Sequence, residues 1–293
     1  MFPIIPANSA TAASGNDEGI FGYGSPSSGV QTAVTNLVSN TGVVATDVAG
    51  VGTARSGIGA CEYGGDKGIF GFGNSQAMTN LVSNLGVVAT DTAGVGTTRA
   101  APACSYGNDK GIFGQDGQYG YVTNLVSNTG VVATDVTAVG TSRSSQAACE
   151  YGNDKGIFGF GIGTWPTFYS ITNLVSNVGV VASDQAATTG TGRYGPEACG
   201  YGGDKGIFGY GSSPTTSITN LVSNAGVVSS DVAGVGTARY SLGACEYGQD
   251  KGIFGYGRSY VSMTNKVSNE GVVASDTTGV GTPRYDLAAC SFN

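Results

Sequence analysis

Internal repetition restricts this chain more than any other feature. A Thr-Asn pair, in TNLVSN or a close copy, falls at Thr35, Thr79, Thr123, Thr172, Thr219 and Thr264, at intervals of 44, 44, 49, 47 and 45 residues. One arginine closes each unit (Arg55, Arg99, Arg143, Arg193, Arg239, Arg284), and one cysteine follows it (Cys61, Cys104, Cys149, Cys199, Cys245, Cys290). Repeats of this period are supersecondary units that bury their apolar faces only against each other, so the period decides the fold before local propensity does.

Each unit reads as four short strands: one like LAACEYG, a Gly-Asp-Lys turn, KGIFGYG, a variable loop, MTNLVSN, a Ser-Asn-x-Gly turn, and GVVATD. The turns supply the backbone freedom that tight hairpins need. Four antiparallel strands in ~40–50 residues is the pattern of a β-propeller blade. One copy is divided, with GNDEGIFGYG at 15–24 and AACSFN at 288–293. The expectation is an all-β, six-bladed β-propeller of four-stranded antiparallel blades. Residues 287–293 would be the innermost strand of a blade whose other strands are 17–24, 34–40 and 42–47, a 3+1 closure that removes exposed sheet edges. The single domain would span 15–293, with the closing blade joining 287–293 to 15–55. The other blades would cover about 56–99, 100–143, 144–193, 194–239 and 240–284. Residues 1–14 would form a separate arm.

Composition agrees with strands and tight turns: 51 glycines among 293 residues and only 11% charged side chains. A net charge of −7 without a basic run argues against nucleic acid as a partner. No stretch approaches the ~18 apolar residues of a membrane helix, and MFPIIPANSATAAS lacks the basic start of a secretion signal. The expectation is a soluble protein made in a cytosol.

The chain has no histidine, which removes Ser-His and Cys-His nucleophile pairs and the usual zinc and copper ligand sets. Asp47, Asp91, Asp135, Asp184, Asp231 and Asp276 each precede the unit's arginine by eight or nine residues. Six copies fit a structural role, tying turns and blades together, because buried charges need partners. Asp66, Asp109, Asp154, Asp204 and Asp250 read as turn formers, and the lysine beside each argues against a cation there. The six cysteines read as free, buried thiols, since equivalent strands lie too far apart for a bridge that needs Cα atoms within ~7 Å. No catalytic residue, metal or cofactor is expected.

The order Arg, Leu-Ala-Ala-Cys, turn, Ile-Phe-Gly-Tyr-Gly resembles the kelch repeat over nearly the whole chain from about residue 15. Kelch blades carry a Gly-Gly doublet after the second strand and a Trp in the fourth. Gly71, Phe72, Gly73 and a Val-Val pair stand there instead, so the resemblance implies the fold and not kelch functions. The wording TNLVSNxGVVAxDxxGVGTxR with DKGIFGYG also resembles repeat proteins of bacteriophages, including marine cyanophages, that are described as kelch-like or galactose-oxidase-like. The lack of histidine rules out a galactose-oxidase-like copper site. That resemblance implies a protein of the virion.

The loops after the second strands and the connections between units vary, while the Asp-Lys and Ser-Asn-x-Gly turns hardly change. In an up-and-down blade the two variable sets share one face. That face would carry Trp165, Phe168 and Tyr169 in the longest loop, with Tyr119, Tyr121, Tyr194, Tyr240, Tyr260 and Tyr285. Exposed aromatics beside small polar residues suit sugar or protein recognition. Phe2, Ile4 and Ile5, separated by prolines, would dock the arm on a neighbouring virion protein. The expected function is therefore a non-enzymatic bacteriophage tail, fibre or capsid-associated protein. It would bind a host-surface glycan, a receptor or other virion proteins through the variable face. The alternatives are a purely structural virion module, a cellular kelch-type adaptor, or an enzyme using carboxylates.

Overall fold

Each unit builds the same hairpin because KGIFG is flanked by glycine-rich turns and is buried on both faces along its Gly-Ile-Phe centre. The computed structural model describes residues 16–73, 76–118, 120–186 and 190–293. In chain order the strands are β1 (Glu18–Gly22), β2 (Thr35–Val38), β3 (Gly59–Tyr63), β4 (Lys67–Gly71), β5 (Thr79–Val82), β6 (Ala103–Tyr106) and β7 (Lys110–Phe113). They continue as β8 (Val122–Val126), β9 (Val136–Thr137), β10 (Ala147–Tyr151), β11 (Lys155–Gly159), β12 (Thr172–Val175) and β13 (Glu197–Tyr201). The last six are β14 (Lys205–Gly209), β15 (Thr219–Val222), β16 (Gly243–Tyr247), β17 (Lys251–Gly255), β18 (Thr264–Val267) and β19 (Ala288–Phe292). The described residues contain no helix.

These strands form five three-stranded sheets and one four-stranded sheet, all antiparallel. Five sheets join strands consecutive in the chain, and the sixth has the order β19-β1-β2. There Ile20 faces Cys290, the register in which Ile69 faces Cys61 and Ile157 faces Cys149. The chain is thus all-β, made of small repeated antiparallel sheets compatible with a β-propeller-like fold. The 1–14 arm, with Phe2, Ile4 and Ile5, lies outside the described residues.

The expected fourth strand is largely absent as a continuous strand. Among the described residues only β9, directly after the GVVATD copy of its unit, pairs as a strand, on β8; elsewhere the GVVATD segment and the residue after it touch their neighbour through isolated bridges such as Val38 with Val44 and Thr35 with Val48. A buried asparagine holds the segment in place of part of a ladder. Asn36 Nδ2 donates to the Ala45 carbonyl at 3.0 Å and to Asp47 Oδ1 at 2.9 Å, so a side chain takes over where ladder bonds would run.

Neighbouring sheets interlock through glycine. Gly71 lies under the Phe113 ring of the next unit, and a Cβ there would sit 2.5 Å from Phe113 Cζ. The same relation recurs for Gly22 with Phe70 and Gly209 with Phe254. Each cysteine is buried and free, and Cys61 packs its sulfur against Gly111 as Cys104 does against Gly156. Gly71→Ala should therefore cost about 1–3 kcal/mol, because backbone and a buried ring must separate. A urea midpoint equal to wild type would contradict this packing.

The arginines cross-link the same interfaces. Arg55 is fully buried with its guanidinium 4.4 Å from the centre of the Tyr23 ring. Its Nε donates to the Phe72 carbonyl at 2.9 Å and its Nη2 to Asn80 Oδ1 at 2.6 Å. Asn80 in turn donates to Asp91, which also accepts from the Thr53 amide and hydroxyl of the preceding unit. Desolvation pushes the Asp91 carboxyl up, but hydrogen bonds from Asn80 and Thr53 and the Arg55 charge outweigh it and hold it below its ordinary range.

A further set of backbone bonds links the hairpin turns. Gly64 N donates to Asp109 O, Gly107 to Asp154, Gly152 to Asp204, Gly202 to Asp250, Gly248 to Asp17, and Asn293 to Asp66. First strands touch in the same succession, including β16 with β19 and β19 with β3.

Candidate functional site

The non-repeating side chains are brought together by one local device. The connection leaving each unit runs antiparallel to the loop that follows the next KGIFG strand. Tyr194 bridges to Ser212, Tyr285 bridges to Ser25, and Arg258 N donates to the Tyr240 carbonyl at 2.7 Å. Tyr194, Tyr240 and Tyr285 each directly follow the buried arginine of their unit, so three successive units present a tyrosine at one equivalent position. The other three units carry Ser56, Ala100 and Ser144 there.

The result is a continuous aromatic row. Trp165 meets Phe168 edge-on at 5.4 Å, Phe168 stacks on Tyr194 at 5.8 Å, and Tyr194 meets Tyr240 at 5.6 Å. The Arg258 guanidinium then lies 4.2 Å from the Tyr285 ring centre and 5.9 Å from that of Tyr240, and Tyr260 meets Tyr285 at 5.3 Å. Trp165 is 69% exposed and Tyr260 is 42% exposed, whereas Tyr285 is buried beneath its neighbours. Desolvation raises the Tyr240 and Tyr285 hydroxyls above their ordinary values, so both remain neutral donors.

Of the aromatics expected on this face, Trp165, Phe168, Tyr194, Tyr240, Tyr260 and Tyr285 belong to the row. Tyr169 packs over Gly163, and the Tyr121 hydroxyl donates to the Gly140 carbonyl, so neither makes a ring contact with the row. Tyr119 lies outside the described residues. Arg258 escaped the sequence reading, although a signal existed: it is the one arginine that is not the closing residue of a repeat.

Two cavities adjoin the first strands. One, of about 120 Å³, is lined by the residues that follow the tyrosines, including Gly195, Ser241 and Asp286, together with Glu197. Burial pushes the Glu197 carboxyl up to about 8 and raises that of Asp286. The other, of about 50 Å³, is lined by the Ala-Cys segments of all six first strands and the residue after each cysteine. That residue alternates: Glu62, Ser105, Glu150, Gly200, Glu246, Ser291. A Cβ on Gly200 would overlap the Glu246 carboxylate, so three carboxyls fill the space of six positions.

No lysine or arginine lines this second cavity. Desolvation lifts Glu62 to about 7 and Glu246 to about 8, and it lifts Glu150 well above the carboxylate range, with the charges of Glu62 and Glu246 adding to the effect. Ser291 hydrogen-bonds Glu62, and Asn16 Nδ2 donates to Glu246 Oε2 at 2.9 Å. Such groups keep protons near neutrality. No group of three or more His, Cys, Asp or Glu among the described residues is arranged to hold a metal ion.

Compared with known proteins, the chain matches no protein-family model and no curated sequence. Among the described residues no helix is long and apolar enough to cross a membrane.

Proposed function

We propose that the chain is a closed, kelch-like six-bladed β-propeller that acts as a non-enzymatic binding protein, holding a glycan along its aromatic row. The pairing of β19 with β1, the turn-to-turn bonds that run through Asn293 and Asp17, and the contact of β19 with both β16 and β3 support 3+1 closure. The observation that carries the binding reading is the row from Trp165 to Tyr240, contributed by loops of successive units with its outermost ring largely exposed. Rigid rings give contact area at low entropic cost, and their faces match the C–H surfaces of pyranoses. The resemblance of the repeats to phage proteins supports reading this binding protein as part of a virus particle that faces the host surface.

Trp165→Ala should weaken binding to the best ligand on a glycan array at least tenfold without moving the melting temperature. Binding that survives replacement of the whole 161–170 loop contradicts the site. The virion assignment is checked separately, by mass spectrometry of purified particles.

A further inference from the structure

We infer that the row selects an acidic glycan, one whose sugars carry a carboxylate or sulfate, and that Arg258 is the residue that reads the charge. This rests on the glycan reading above and adds the ligand's chemical class.

Of the chain's 13 lysines and arginines, the repeat absorbs almost all. The six closing arginines are buried, and Lys67, Lys110, Lys155, Lys205 and Lys251 each pair with the aspartate beside them. Lys266 donates to the Thr41 carbonyl at 2.9 Å. Arg258 differs. Among the described residues it has no carboxylate within ion-pair distance, and its guanidinium donates no hydrogen bond. Its side chain is nevertheless placed, with the guanidinium 4.2 Å from the Tyr285 ring centre and 5.9 Å from that of Tyr240. A guanidinium held by aromatic faces keeps its N–H edge free, and that edge matches the two oxygens of a carboxylate or sulfate.

The surroundings favour an anion here and nowhere else on the row. The nearby Asp286 carboxyl is raised by burial against the opposing pull of the Ser241 hydrogen bond and the Arg258 charge, and it is bonded to Ser241 at the wall of the neighbouring cavity. Most other carboxylates belong to repeat turns or line the two cavities, and exposed charges farther away than about 10 Å are largely screened at 0.1 M salt. A chain of sugars stacked on Phe168, Tyr194 and Tyr240 would therefore carry its acidic group to Arg258, at the end of the same row.

The test compares chains that differ only in charge: oligogalacturonate against its methyl ester, and sulfated against plain dextran oligosaccharides, by calorimetry at low salt. Wild type should bind one acidic member at least tenfold more tightly than its neutral partner, and the arm that shows this identifies the oxyanion. Arg258→Gln should abolish that difference by weakening the acidic member at least tenfold, and Arg258→Lys should restore part of it. Equal affinity for acidic and neutral partners, or a preference that survives Arg258→Gln, overturns the role of Arg258 while the row stands. Failure of all four glycans to bind overturns both the inference and the glycan reading.

Discussion

Removing residues 287–293 will leave a chain that aggregates rather than a shortened, folded protein. The segment carries Leu287, Cys290 and Phe292, all buried, and every residue of β19 pairs with β1. Phe292 lies against Gly86 as Tyr247 lies against Gly42, so one aromatic of the inter-unit packing goes with it. Losing three buried side chains costs about 4.5–9 kcal/mol at roughly 1.5–3 kcal/mol each, which is comparable to the whole stability of a domain. The unpaired edges of β1 and its neighbours would then be open to other chains. Size-exclusion chromatography and thermal unfolding check this, and a soluble monomer with wild-type melting contradicts closure.

Stability will fall as pH rises from about 5 to 9, and the glutamates of the cavity lined by the six Ala-Cys segments will be responsible. Their reference value is 4.5, while burial holds Glu62 at about 7 and Glu246 at about 8 in the folded chain. Between those values the folded state keeps protons that the unfolded state has released, so each step upward in pH favours unfolding until the folded groups ionise. The aspartates that cap the arginine network act in the opposite sense. Asp47, Asp91 and Asp276 are held below the ordinary value, so their contribution is lost as pH falls through the acid range. Stability should peak near pH 4–5, with a loss of a few kcal/mol by pH 9, or roughly 5–10 °C in melting temperature. Glu62→Gln with Glu246→Gln should flatten the alkaline side and leave pH 5 nearly unchanged. An unaltered alkaline slope in that double variant contradicts the assignment.

The repeat made most of the fold readable, because turns, paired strands and buried cysteines recur at fixed offsets from the Thr-Asn pair. The divided copy foretold that β19 would pair with β1. The fourth strand was misread because GVVATD has strand-like composition, and nothing local announces that Asn36 and its equivalents replace ladder bonds with side-chain bonds. The aromatic row was half legible: variability marked the loops, but only three-dimensional pairing of a connection with the following loop separates Phe168 from Tyr169. Arg258 and the Glu-small alternation were visible as departures from the repeat. Their meaning depends on what neighbouring units place beside them.

The chain contains one tryptophan, and it stands exposed at the outer end of the row, so its fluorescence reports directly on the site. Titrating the protein with an oligosaccharide that binds by calorimetry should give a saturable change in Trp165 emission with the same midpoint. Unchanged emission at full calorimetric saturation would place the ligand elsewhere and contradict the account.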